Sequence, residues 1–204
     1  MIKSSIKGFT LMELMAVLVI IGILFGIIFT GASYLFSAQE EKKAKAELEA
    51  ITLALKDFKS EFGDFPITDE SSSEGECAKV LFMTLSGWMD LDGDEIPAEE
   101  RGRSFLPSDS FTLGKQEGDE IEVYLLTSDE ILGNAGINKE IFIIDPWENA
   151  YLYQYPRLDG HTGFLLFSRG PDGKTSEFRS ELTSTPDKQT IDLDNIPGSE
   201  PGKW

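Results

Sequence analysis

The chain has 204 residues and a formal net charge of −18, from 18 basic and 36 acidic side chains. That balance excludes the basic footprint of a nucleic-acid binder. One cysteine, Cys77, excludes an intrachain disulfide, and one histidine, His161, has no thiol or second imidazole with which to build a zinc site.

The N-terminus reads MIKSSIKGFTLMELMAVLVIIGILFGIIF. Lys3 and Lys7 make a short basic leader with no acid before Glu13, and Leu14 to Phe36 is a run of 23 uncharged residues. As a helix that run covers roughly 35 Å, the span of a bilayer core. A secretory signal peptide is cut after its apolar stretch. Here the candidate processing point, Lys7-Gly8 followed by Phe9, lies before it, so the apolar segment stays on the mature protein. The basic flank predicts a cytoplasmic N-terminus with the remainder outside. Glu13 has two readings: a solvated acid favoured by the helix dipole, or an acid at a membrane edge that awaits a partner.

The string Lys7-Gly8-Phe9-Thr10-Leu11-Met12-Glu13-Leu14 resembles the class III signal of type IV prepilins and pseudopilins. The resemblance implies cleavage after Gly8 by a prepilin peptidase and methylation of Phe9 as the new N-terminus. It also implies a pairing of Glu13 with the terminal amine of a neighbouring subunit. Such a pair is physically sound, because an amine and a carboxylate brought together in apolar surroundings offset each other's burial.

From Ser37 the chain turns charged, and Ala44, Leu48, Ile51, Leu55, Phe58 and Phe62 recur at spacings of four and three. That is one apolar stripe on a helix. With no proline before Pro66, one helix of about 50 residues is predicted from near Thr10 to Phe62, roughly 75 Å long, with Gly63 and Pro66 as its stop. Gly22 and Gly26, four apart in the apolar half, would permit close helix approach or simply follow membrane-helix composition.

Phe62-Gly63-Asp64-Phe65-Pro66 resembles the turn that ends the long helix in the major pseudopilin of type II secretion. Residues 69–76 are expected to be a loop and residues 77–88 a short amphipathic helix that covers a core with Val80, Leu81, Met83, Thr84 and Leu85. Cys77 is expected to be a small buried hydrophobe. Asp90-Leu91-Asp92-Gly93-Asp94-Glu95 offers hard oxygens but lacks the rest of an EF-hand loop, so residues 89–120 read as a solvated acidic excursion.

Ile121–Leu126 and Ile141–Ile144 have strand character. Asp145-Pro146-Trp147-Glu148-Asn149-Ala150-Tyr151 is similar to the major-pseudopilin signature Asp-Pro-Trp-Gly-x-x-Tyr, with Glu148 where that family carries glycine. Glycine there adopts a positive φ cheaply, so Glu148 is a departure with a geometric consequence. Tyr151, Tyr153 and Tyr155 alternate and are expected on one strand face, packed on the long helix. Phe164–Ser168 reads as the next strand. Ser168, Gly170, Asp172 and Gly173 match the family's Ser-x-Gly-x-Asp-Gly, which precedes a calcium loop. By that resemblance Asp172, with Asp192 and Asp194, are candidate calcium ligands, with backbone carbonyls completing six to eight oxygens. A calcium ion would staple a loop of about 25 residues. The alternative is an Asp-Gly turn followed by a solvated acidic tail.

The resemblance implies an α+β, pilin-like fold: a long N-terminal helix, transmembrane half plus amphipathic half, on a small antiparallel β-sheet. The expected divisions are a leader (1–8), a transmembrane helix (9–36), a spine helix (37–62), a variable region (63–120) and a C-terminal sheet with the candidate calcium loop (121–204). No nucleophile elbow, phosphate-binding glycine loop or general-base histidine is present in the sequence, so no enzyme is expected. The implied role is a structural subunit of a type II secretion pseudopilus at the bacterial inner membrane, with its C-terminal domain in the periplasm. It would self-associate into a helical fibre and meet prepilin peptidase, other pseudopilins and the inner-membrane secretion platform. A type IV pilin or minor pilin, and a membrane-anchored binding module, are the alternatives.

Overall fold

A computed structural model describes residues 10–69, 72–91, 93–97, 99–107, 111–118, 120–126, 140–158, 162–175 and 194–199, with the backbone alone at 28–35. The elements are α1 (Leu11–Phe62), α2 (Glu74–Leu85), β1 (Thr112–Glu117), β2 (Glu120–Tyr124), β3 (Ile141–Ile144), β4 (Leu152–Gln154), β5 (Leu165–Ser168) and β6 (Ile196–Pro197). An N-terminal helix followed by small antiparallel sheets is the α+β, pilin-like arrangement expected. The chain divides into two compact units, Met1–Glu40 and Glu41–Trp204.

In the first unit the α1 side chains Leu14, Val17, Leu18, Ile20, Leu24 and Phe25 are exposed. Among the described residues no helix is long and apolar enough to cross a membrane. The uncharged run Leu14–Phe36 passes through residues 28–35, whose side chains lie outside the described set.

In the second unit the predicted stripe is the spine of the core. Ala44, Leu48, Ile51, Leu55 and Phe58 are buried, while Phe62, at the last turn, is half exposed and stacks on Phe58 with ring centroids 4.6 Å apart. Leu48 and Leu166 crowd Gly198, where a Cβ would meet their methyl carbons at 2.8 and 2.9 Å. Glycine at 198 therefore lets the segment after β6 lie directly on α1 and β5.

α2 begins earlier than residue 77, because Ser73 and Glu76 close a capping box. The Ser73 hydroxyl accepts from the Glu76 N–H at 3.3 Å, and the Glu76 carboxylate accepts from the Ser73 N–H at 2.6 Å. Two orphan N–H groups are thus satisfied, and the helix starts at Glu74 inside the stretch expected to be loop. Cys77 is fully buried against Leu152, Leu165 and Phe167.

The strands form two three-stranded antiparallel sheets, ordered β2-β1-β3 and β4-β5-β6. β1 lies within the stretch read as an acidic excursion. It pairs with β2 through residues such as Lys115 opposite Glu122, and with β3 through Leu113 opposite Ile143. β2 ends at Tyr124, short of the expected Leu126. Gly114 is the reason β1 fits: a Cβ there would meet Ile144 Cγ2 at 2.5 Å and Ile121 Cγ2 at 2.8 Å. The mixed pattern of β1, with one buried position among six, conceals the alternation that marks a strand.

The three tyrosines fasten the C-terminal segment to the helix and its exit. Tyr151 and Tyr153 are fully buried. The Tyr151 hydroxyl donates to Glu47 Oε2 at 2.6 Å, Tyr153 to the Pro66 carbonyl at 2.8 Å, and Tyr155 to Asp64 Oδ1 at 2.6 Å. Glu47 is the charged member of the buried face of α1, 5% exposed, with Lys43 Nζ 3.6 Å from Oε1. Burial pushes its carboxyl above the ordinary 4.5, against the opposing pull of the Tyr151 hydroxyl and Lys43, and the nearby Asp145 adds to the rise.

Two predictions come from these positions. Folded Glu47 holds its proton more tightly than the unfolded chain does, so its contribution to stability falls as pH rises above 4.5 towards its raised folded value. Glu47→Gln keeps an acceptor for Tyr151 and removes the charge. Thermal melts across pH should superimpose for the two proteins below pH 4.5 and show the variant a few degrees more stable at neutral pH. Glu148 sits in the left-handed region at φ 67°, and its exposed side chain makes no hydrogen bond among the described residues. Relieving that backbone cost outweighs the entropy glycine adds to the unfolded chain. Glu148→Gly is therefore expected to stabilise the fold by about 0.5–1 kcal/mol in chemical denaturation.

Candidate functional site

Two regions carry the residues that the sequence singles out. The first is the start of α1. Thr10 precedes the helix, and its carbonyl accepts from the Leu14 N–H at 3.2 Å. Its hydroxyl accepts from the Glu13 N–H at 3.2 Å, while Glu13 Oε2 accepts from the Thr10 N–H at 2.8 Å and from the Thr10 hydroxyl at 2.9 Å. This Thr-x-x-Glu geometry is a capping box. Within one chain, then, Glu13 is exposed and already holds the helix start together. The spacing Thr10–Glu13 carried this signal in the sequence. Gly8 and Phe9 lie outside the described residues.

The second region is the turn after β3 and the loop after β5. Asp145, 2% exposed, is the joint between them. Its Oδ1 accepts from the backbone N–H groups of Trp147 at 3.0 Å and Asn149 at 2.9 Å. Its Oδ2 accepts from the Ser168 hydroxyl at 2.5 Å, and the Ser168 oxygen accepts from the Gly170 N–H at 3.0 Å. Burial pushes the Asp145 carboxyl above its ordinary value, and these donors oppose that rise. The Asp145 carbonyl accepts from the Glu148 N–H at 3.0 Å, closing the turn that holds Glu148 at positive φ. Arg169, half-buried, pairs with Glu74 in the first turn of α2, so the loop is tied to that helix also.

Beyond Ser168 the chain reverses through Gly170-Pro171-Asp172-Gly173, with the Gly173 N–H donating to the Gly170 carbonyl at 3.3 Å. Gly170 has φ 68°, and a Cβ there would lie 2.3 Å from the Asp194 carbonyl oxygen. Only glycine permits that approach. It brings Asp172 and Asp194 together: the Asp172 N–H donates to Asp194 Oδ2 at 3.1 Å, and Asp172 Oδ1 accepts from the Lys174 N–H at 2.8 Å. Each of the two residues carries a carboxylate, a hard oxygen donor of the type calcium takes. Among the described residues no group of three or more metal-ligating side chains is gathered at one place. Asp192 and His161 lie outside the described residues.

The other acidic segment is a tight reversal. The Asp94 N–H donates to Asp90 Oδ1 at 2.8 Å, the Asp90 N–H donates to the Asp94 carbonyl at 3.0 Å, and Met89 bridges Glu95 in antiparallel sense. Asp92 lies outside the described residues. Sequence reasoning passed over Glu47, Asp145 and Asn149 as individual residues. Glu47 was findable, since it falls three after Ala44 and four before Ile51 and so shares their face. The roles of Asp145 and Asn149 depend on contacts with residues about twenty positions away, which spacing does not reveal.

Residues 3–29 match the prokaryotic N-terminal methylation motif. No curated protein matches the chain, and no solved structure does. The motif supports a type IV pilin-like or pseudopilin kinship in general. It marks the chain as a substrate of the prepilin peptidase type and implies polymerisation of the pilus type.

Proposed function

We propose that this chain is a structural subunit of a type II secretion pseudopilus. A peptidase cuts it after Gly8, the new N-terminus at Phe9 is methylated, and the chain polymerises through α1 to drive secreted proteins outward. The observation that carries the finer reading is the hydrogen bond from Ser168 to Asp145. It joins the two segments, Asp-Pro-Trp and Ser-x-Gly-x-Asp-Gly, that resemble the major pseudopilin. The single cysteine is a second support, because one thiol cannot close a C-terminal disulfide loop within the chain. In this reading the apolar first half of α1 lies in the inner membrane and the second unit in the periplasm. The role is structural rather than catalytic.

Glu13 is the assembly residue of this reading. Its Oε2 is engaged by Thr10, and its carboxylate charge answers the α-amine of a neighbouring subunit. Glu13→Ala should therefore leave leader cleavage intact, since the cut lies five residues upstream, and should abolish or sharply reduce fibres seen by electron microscopy or cross-linking. Fibre yield equal to wild type would remove the amine–carboxylate role.

Calcium is the proposed cofactor, held by Asp172 and Asp194, with Asp192 as the third candidate. When bound, the ion would fix the long connection between β5 and β6. Every other task at that loop falls to the chain itself: Asp145 and Ser168 hold its entry, and Gly170 admits the Asp194 carbonyl. Ligand binding to the folded state alone stabilises by about 2.7 kcal/mol at a hundredfold excess over the dissociation constant. For a chain of this size that raises the melting temperature by about 5–10 °C. Melts of the detergent-solubilised chain in Ca²⁺ and in chelator measure the difference, and identical curves would exclude the ion.

A further inference from the structure

The Asn149 amide sits inside the reversal that carries Asp172. Its Nδ2 donates to the Gly170 carbonyl at 3.2 Å. At the other end of the reversal a Cβ on Gly173 would lie 2.8 Å from Asn149 Oδ1, so the bare Cα of Gly173 rests against that oxygen. One side chain thus touches both ends of Gly170–Gly173. Its own backbone is fixed by Asp145 Oδ1 at 2.9 Å. Without the amide the reversal is closed on itself by one bond of 3.3 Å between Gly173 and Gly170. Asp172 would then be less firmly kept beside Asp194, to which its N–H donates at 3.1 Å.

We infer that Asn149 is a positioning residue for divalent-cation binding at Asp172 and Asp194, an inference that rests on the calcium reading above. The residue supplies no ligand atom. It holds the reversal that carries Asp172, whose N–H meets the Asp194 carboxylate, in shape before an ion arrives, and such outer partners set metal affinity by sparing the ion the work of ordering its ligands. Glu148, the residue before Asn149, stands at φ 67° in the turn that presents the Asn149 amide to the loop.

The test is calorimetric titration of Ca²⁺ into the full detergent-solubilised chain, comparing wild type, Asn149→Ala and Asn149→Ser, with Asp172→Asn as the ligand-loss control. Far-UV circular dichroism and melts in chelator report the fold separately. The expected result is an affinity at least about tenfold weaker in both Asn149 variants, with the ion-free melting temperature within a few degrees of wild type. Unchanged affinity in the variants beside a wild type that binds would overturn the inference and leave calcium standing. A fall in ion-free stability with unchanged affinity would do the same, assigning Asn149 to the fold alone. A wild type that takes up no Ca²⁺ would sink the calcium reading and this inference together. If the alanine variant does not fold, the serine variant decides between the same outcomes.

Discussion

The buried carboxylate of Asp145 is the constraint on which the C-terminal half depends. A carboxylate at 2% exposure is tolerable only when its lone pairs are taken up, and here two backbone N–H groups and a hydroxyl take them. Those three donors belong to two stretches of chain that are otherwise separate, the turn after β3 and the end of β5. Satisfying the charge therefore brings the segments together. Glu47 and Tyr151 extend the arrangement to α1. The second unit is consequently held by apolar packing along one helix face and by a polar thread that crosses from helix to turn to loop. The packing supplies most of the driving force, and the thread supplies direction.

Most of the helical part was legible in the sequence because it rests on periodicity. The stripe from Ala44 to Phe58 is buried as its spacing predicts, and Gly63 follows the last helical residue. The sheets were less legible. β3 and β5 are short apolar runs buried throughout, and these stand out. β1 does not: it buries one residue of six and is rich in polar side chains, so only its partners on either side make it a strand. The start of α2 at Glu74 is hidden in the sequence for a different reason. A Ser-rich, Glu-rich stretch reads as loop, yet Ser73 and Glu76 in that composition are the residues that begin a helix.

The candidate site divides in the same way. Asp172 and Asp194 are candidates by resemblance to a family motif, and the Asp172 N–H donates to the Asp194 carboxylate. What makes them meet was not visible in their own neighbourhoods. Asn149 acts across 21 positions on Gly170, and the absence of a side chain at Gly170 matters because of a carbonyl 24 positions later. At the N-terminus, the sequence reads Glu13 as either a solvated acid or an acid awaiting a partner. In a single chain it has a third occupation, as half of a capping box. Any contact it makes with a second chain is made by a carboxylate already fixed in place, which lowers the entropy lost on contact.

A chain whose motif implies pilus-type polymerisation also has to avoid the wrong polymer. Among the described residues β2 is the free edge of its sheet, with Val123 more than half exposed. Such an edge is a template for runaway strand addition between copies. Here it carries Glu120 and Glu122. Antiparallel pairing of β2 with β2 of another copy would set these acids against one another, an arrangement that like-charge repulsion opposes. The acidity that bars nucleic acid thus also works locally, at β2, against amyloid-like stacking.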